Sequence, residues 1–209
     1  MNHKPYGPYE RFVKRPQDFL CALLAIIVLS PVLLVVAILV RIKLGSPILF
    51  TQDRPGKDGK VFKLYKFRTM LPSKNDVIDP KQDADRLTPF GRKLRSTSLD
   101  ELPELFNILR GDMSVVGPRP LLVQYLDRYD DHQSRRHEVR PGFTGLAQVN
   151  GRNALSWEEK FDWDIRYVDH ITFLGDWKII FATVRTVIKR DGISANGEAT
   201  MSEFMGSEK

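Results

Sequence analysis

Residues 19–40, FLCALLAIIVLSPVLLVVAILV, run for 22 positions without a charge, and no other feature restricts the fold of this chain as strongly. As a straight helix at about 1.5 Å per residue the run reaches roughly 33 Å, enough to cross the hydrocarbon core of a bilayer. A soluble helix of this composition would be apolar on every face. A secretory signal fits poorly, because the run is too long and Arg41 and Lys43 follow without a small-x-small cleavage pattern. Membrane insertion is the reading that remains. Ser30-Pro31 lies near the middle of the run. Proline there has no N–H and clashes with the Ile27 carbonyl, so a bend or break is expected, leaving halves of about ten residues that are too short to cross alone. Lys4, Arg11, Lys14 and Arg15 precede the run, and Arg41, Lys43, Arg54, Lys57 and Lys60 follow it. Basic residues on both flanks point both flanks toward the cytoplasm. A re-entrant helix–break–helix satisfies both facts. A single kinked crossing also remains open, since proline is tolerated in spanning helices.

The remainder reads as one compact unit, giving an N-terminal membrane segment at 1–44 and a domain at 45–209. One cysteine, Cys21, excludes an internal disulfide framework, and four histidines without H-x-x-x-H spacing argue against a histidine metal site. PILFTQDR and KVFKLYKFRTM flank PGKDG as a β-hairpin. Residues 72–87 are polar, without apolar periodicity, and read as an exposed loop. Thr88-Pro89 opens a short basic helix through Arg95. Further helices are expected at about 98–109, ended by Gly111, and at about 120–136. Ser156-x-x-Glu159 is a capping box for a helix through 169, and a last helix is expected at about 176–190 with Gly192 past its end. Both of these last helices mix Trp and Phe with Lys and Arg, the composition of interfacial helices, although covering a soluble core is the alternative for each. The fold class is an α-rich α+β.

The densest polar stretch is Arg95-Ser-Thr-Ser-Leu-Asp100-Glu101-Leu-Pro-Glu104. Ser98-x-x-Glu101 is itself a capping box, and spacing alone favours that structural reading. The same residues could instead present a carboxylate pair at a helix start, where an ionised Asp can attack phosphorus and two carboxylates can share Mg²⁺. Arg119, between Pro118 and Pro120, sits on a stiff segment suited to clamping phosphate. Lys66, Arg68, Arg140 and Arg152 add positive charge. Lys and Arg number 32 against 26 Asp and Glu, a net +6 that suits phosphate or an anionic membrane. These cations are scattered without a recognition-helix or RNP pattern, so nucleic acid is not an expected partner. No Walker A, G-x-G-x-x-G or G-x-S-x-G sequence occurs.

Taken together, Ser30-Pro31, KFRTM at 66–70, RSTSLDELPELFN at 95–107, GPRP at 117–120 and RPGFTGLAQVNGR at 140–152 resemble the bacterial sugar transferases, the small monotopic polyprenyl-phosphate phosphoglycosyl transferases. The resemblance runs nearly end to end. It implies a re-entrant helix bent at Ser30-Pro31, with the chain held in the bacterial inner membrane and its domain facing the cytoplasm. It implies transfer of sugar-1-phosphate from a UDP-sugar to undecaprenyl phosphate with release of UMP. Asp100 matches the family nucleophile, passing through a phosphosugar-aspartate. Glu101 matches its partner, and the two are the implied Mg²⁺ ligands. Arg95, Arg119, Arg152 and Asp176 match positions lining the family site, and Lys66 and Arg68 of the KFRTM motif are assigned with them to substrate and phosphate binding. The C-terminal TMSEFMG tilts the donor toward an N-acetylated amino sugar by analogy, with UDP-galactose or UDP-glucose, or an inactive membrane scaffold, as the alternatives. Membrane lipids are expected partners, and the sequence leaves a homodimer open.

Overall fold

A computed structural model of the chain describes residues 3–71, 86–151, 154–189 (backbone only at 187–189) and 203–206. A π-type turn at Tyr9–Val13 leads directly into α1, Lys14–Leu44. Among the described residues α1 is the one helix long and apolar enough to cross a membrane. It stays helical through Ser30-Pro31, where a bend or a break was expected, so the helix is not broken there. The Ser30 hydroxyl donates to the Ile27 carbonyl at 2.8 Å, the same carbonyl that Pro31 leaves without an N–H. A local side-chain bond thus replaces the lost backbone bond, and the helix need not unwind.

Both ends of α1 are tied to the rest of the chain. Near its start, Arg15 donates to the carbonyls of Ile108 and Leu109 at 2.6 and 2.9 Å. Asp18 accepts from the Ser114 hydroxyl at 2.5 Å and the Val115 N–H at 3.1 Å. At its end the Arg68 guanidinium donates to the carbonyl of Leu44, an orphan acceptor of the last turn, and to that of Ser46 just beyond it. The early half of α1 packs Ala22, Ala25, Ile26 and Leu29 against Leu64, Leu105, Ile108 and Met113. The late half packs Val36, Val40 and Leu44 against Phe67, Leu94, Leu99 and Leu102. The opposite face carries Leu20, Leu24, Val28, Leu34, Val35 and Ile42, all exposed.

The expected hairpin forms. β1 (Leu49–Pro55) pairs antiparallel with β2 (Val61–Phe67), from Leu49 opposite Phe67 to Pro55 opposite Val61. Beyond it, Leu71 N–H donates to the Arg86 carbonyl at 3.1 Å and Met70 bridges Leu87; residues 72–85, where an exposed loop was expected, lie outside the described residues. Thr88 caps α2 (Pro89–Ser96) by accepting from Gly91 N–H at 3.0 Å, as expected.

Three helix boundaries differ from the sequence reading. The stretch 98–109 is a 3-10 turn at Leu99–Glu101 followed by α3, Glu104–Arg110, ended by left-handed Gly111. Pro103 cannot donate back to Leu99, so the helix restarts there. The stretch 120–136 is not one helix but a 3-10 turn at Val123–Arg128, the one-turn helix α4 (Asp131–Ser134) and a second 3-10 turn at Arg135–Glu138. Asp130 forms a full capping box with Gln133 and starts its own turn. The last helix begins at Phe173 rather than 176, because Thr172 accepts from Gly175 N–H at 3.1 Å and caps it earlier. Gly192 lies outside the described residues.

A parallel pair is present that periodicity did not announce: β3 (Ser114–Val116) beside β4 (Gly142–Thr144). The backbones approach so closely past β3 that a Cβ on Gly117 would stand 2.5 Å from the Arg140 carbonyl. Only glycine fits there. After α5 (Leu146–Val149), α6 (Trp157–Asp169) forms with its expected Ser156–Glu159 capping box and buries Phe161, Ile165 and Val168. It covers the soluble core. α7 (Phe173–Lys189) leaves Leu174, Phe181 and Val184 exposed.

Candidate active site

The turn at 99–101 displays its carboxylates toward β2 and the loop after β3. Ser98 sits in the left-handed region at φ 55° and makes no side-chain cap bond, so the capping-box reading fails at this position. Glu101 instead accepts from Lys66 Nζ at 2.7 Å and from the Arg119 guanidinium. Lys66 also lies 3.1 Å from Glu104 Oε1, a carboxylate only 2% exposed. Lys66 therefore links Glu101 to Glu104, and Arg119 closes the cluster from the other side.

Asp100 is 8% exposed. Burial pushes its carboxyl up to about 6, the adjacent Glu101 charge adds to the shift, and Lys66 and Arg95 oppose it. Burial would raise Glu101 too, but Arg119 and Lys66 overcome that and hold it below the usual carboxylate range. Glu104 is raised, by burial first and by Glu101 second. Glu101 in turn raises Arg119. The pair that the sequence singled out thus divides into one firmly ionised member and one member that gives up its proton reluctantly. Such a split is a mark of acid–base or nucleophilic sites. If Asp100 must be ionised to act, kcat/KM for the donor rises with pH through about 6 and is flat above it, since that ratio reports the free enzyme. A pH–rate profile checks this; a rate independent of pH through that region would count against an ionising Asp100.

The other sequence-nominated residues are placed as follows. Arg95 is exposed at the end of α2, its Nε donating to Thr69 Oγ1 at 3.0 Å. Arg68 spends two donors on the end of α1. Arg152 lies outside the described residues. Asp176, 1% exposed, accepts from Tyr9 at 2.7 Å, Lys14 at 2.6 Å and Tyr167 at 2.9 Å, joining the chain's start to α7. Asp176→Asn is expected to lower stability by about 3 kcal/mol, because it leaves the buried Lys14 charge with only the longer pairing to Asp18 at 3.9 Å. Denaturant unfolding in detergent measures this loss.

Several residues that hold the site were missed in the sequence. Asn107, fully buried, donates to the Lys63 carbonyl at 2.7 Å and accepts from Tyr65 N–H at 3.1 Å. It pairs with β2 as a strand would and fixes α3 against Lys66. Glu104 carried a signal, since it stands three residues beyond Glu101, but it read as part of an ordinary acidic helix start. Arg136 gave none.

The donor set of Asp100 and Glu101 suits a hard divalent cation that keeps water or phosphate as its remaining ligands, which is how Mg²⁺ is usually held. Among the described residues no three His, Cys, Asp or Glu side chains form a protein-only metal cage. An open apolar groove of about 700 Å³ runs beside this segment, lined by Leu33, Leu34, Ala37, Phe67, Pro103 and Phe106, with Arg41 also in its wall.

The model of the bacterial sugar transferase family matches residues 9–190. The chain belongs to that family. Among its relatives, the uncharacterized sugar transferase EpsL of Bacillus subtilis (strain 168) is 49% identical over 195 residues, covering 93% of this chain and 96% of that protein. A UDP-glucose:undecaprenyl-phosphate glucose-1-phosphate transferase of Klebsiella pneumoniae is 43% identical over 190 residues, 86% of this chain and 41% of its own. The UDP-N-acetylgalactosamine-undecaprenyl-phosphate N-acetylgalactosaminephosphotransferase of Aeromonas hydrophila is 38% identical over 190 residues, 87% of this chain and 45% of its own. The chain therefore spans nearly all of EpsL and less than half of the two relatives with named donors. The matched stretch includes every nominated site residue from Lys66 to Asp176.

Proposed function

We propose that the chain transfers sugar-1-phosphate from a UDP-sugar to undecaprenyl phosphate, releasing UMP, as the first membrane step of a bacterial surface glycan. The observation that carries this is the buried Asp100 beside an ionised Glu101 clamped by Lys66 and Arg119, within a family whose relatives bear the names above. The Asp100 carboxylate attacks the phosphorus that bears the sugar, and the bond from that phosphorus to the bridging oxygen breaks as UMP leaves. An oxygen of the lipid phosphate then attacks the same phosphorus, breaking the bond to Asp100 and giving the polyprenyl diphosphate sugar. Two displacements let one site serve a soluble donor and a membrane-bound acceptor in turn.

Arg119 and Lys66 meet the donor's diphosphate, with Arg95 at the rim. Anionic groups entering a half-buried site without cations would carry a large desolvation cost. Asp100 and Glu101 would hold Mg²⁺, and the charge it would supply is neutralisation of the donor's phosphates. Arg152 joins this set in the proposal. Arg68 and Asp176 are assigned instead to holding the two ends of α1, on the bonds described above.

The acceptor calls for a site at the membrane surface. The re-entrant path of α1 is supported by the attachment of both its ends and both its halves to one compact unit, by the basic residues on both flanks, and by its exposed apolar face. On this path the domain sits on the cytoplasmic side of the inner membrane. The apolar groove beside Pro103 and Phe106 offers room for a prenyl chain next to the turn carrying Asp100. The relatives named for glucose and for N-acetylgalactosamine put both neutral hexoses and acetamido sugars in the donor panel, and only the C-terminal TMSEFMG tilts the choice toward the acetamido sugar.

The test incubates the purified protein in nanodiscs with Mg²⁺, undecaprenyl phosphate and a panel of UDP-sugars, and identifies the nucleotide released. UMP with one donor supports the proposal and names the sugar. UDP would mean ordinary glycosyl transfer, and no release from any donor would favour a scaffold.

A further inference from the structure

The family match ends at residue 190, yet a segment beyond it returns to the domain. Residues 203–206 lie on the turns between β3 and β4, with the Glu203 carboxylate accepting from Gln124 at 2.6 Å and Arg128 at 2.9 Å. Arg128 also donates to the Phe204 carbonyl. The Phe204 ring is 2% exposed. It stacks on Tyr129 with centroids 5.7 Å apart and meets Phe161 edge-on at 5.0 Å.

Those two rings have another occupant. The Arg136 guanidinium lies over Tyr129 at 5.8 Å and over Phe161 at 5.6 Å. Arg136 is 3% exposed and is paired with the buried Asp164 at 2.7 Å. Its remaining strong bond goes from Nη2 to the main-chain carbonyl of Arg119 at 2.7 Å. The neighbouring backbone is pinned as well: the Tyr167 hydroxyl, whose one proton is shared with Asp176, lies 2.9 Å from the Val116 carbonyl, Gly142 N–H donates to the Pro118 carbonyl at 2.9 Å, and Gly117 N–H to the Thr144 carbonyl at 2.9 Å. Arg119 is thus a mobile kind of side chain on a backbone that is not free to move, and Arg136 makes the bond at Arg119 itself.

We propose that Phe204 is a positioning residue for the transfer reaction: it backs the two rings that hold Arg136, and Arg136 holds the main chain from which Arg119 reaches Glu101. This rests on the transfer reading above and deepens it. The physical reason is the sensitivity of phosphate chemistry to placement, since a shift of a fraction of an ångström at a charged donor weakens what it stabilises. A C-terminal segment outside the matched stretch would then set how well the site within it works.

The test uses the full chain in nanodiscs with Phe204→Leu, which keeps an apolar side chain of similar bulk and guards against unfolding, and Phe204→Ala as the stronger change. UMP release is measured at saturating and limiting donor, alongside thermal unfolding. Phe204→Leu is expected to lower kcat about 10-fold, with KM for the donor little changed and the unfolding temperature held. In an Arg119→Lys background the same substitution is expected to cost less than about twofold further, because both changes act through one group. A kcat equal to that of the unmodified chain, or losses that multiply in the double variant, would overturn the proposal. Release of no UMP by the unmodified chain would instead overturn the transfer reading, and this proposal with it.

Discussion

Asp100→Asn is expected to abolish nucleotide release, by at least about 10³-fold in kcat, while leaving the protein at least as stable at neutral pH. The two halves of this expectation have one cause. Asp100 is buried in a place that disfavours its charge, so its folded pKa of about 6 stands above the ordinary 3.8. The folded state therefore holds that proton more tightly than the unfolded chain, and stability falls as pH rises between those two values and stays at the lower level above them. Asparagine has the same shape and no charge to bury. It removes the penalty together with the nucleophile. A residue kept where it costs stability is expected at a reacting centre and not at a helix cap. Nucleotide release and thermal unfolding measured on one preparation check both halves. An inactive variant that is also less stable would point to structural damage.

Arg119→Ala is expected to be the next most damaging change, lowering kcat/KM for the donor by about 10²- to 10³-fold, the usual effect of deleting a preorganised donor to a transition state. Arg119→Lys should recover part of this, since it keeps the charge and loses the planar fork. The fold should survive both changes, because the backbone at Arg119 is held through main-chain groups rather than through its own side chain. A second consequence separates charge from shape. Glu101 would lose one of the two cations that keep it ionised, so its carboxyl would rise toward the value burial prefers, and the acid limb of the pH profile should broaden upward. Steady-state kinetics of the three proteins across pH measure this; an Arg119→Ala variant within about threefold of the original would remove Arg119 from the site.

The membrane segment was legible because composition alone decides whether a helix of that length suits water. Its passage through Ser30-Pro31 was not, since the bond from the Ser30 hydroxyl to the Ile27 carbonyl depends on one side-chain rotamer. The hairpin at 49–67 and the caps at Thr88 and Ser156 were legible because turn and cap chemistry is local. The Ser98–Glu101 box has the same local pattern and does not form, because Lys66 and Arg119 arrive from distant stretches and draw Glu101 away. The parallel pairing of β3 with β4 escaped notice because three residues are too few to show alternation. Arg136 and Phe204 escaped for a related reason. Each reads as an ordinary charged or aromatic residue until the fold brings Tyr129, Phe161 and the Arg119 carbonyl around it.

The most direct test of the account supplies the donor without any lipid acceptor and measures the intact mass of the protein. The account predicts release of UMP in proportion to enzyme and a gain in mass of one phosphosugar. The adduct should map to the peptide containing Asp100, be absent from Asp100→Asn, and discharge when undecaprenyl phosphate is added. A protein of unchanged mass that releases UMP only when the acceptor is present would contradict the covalent route and leave direct attack by the lipid phosphate in its place.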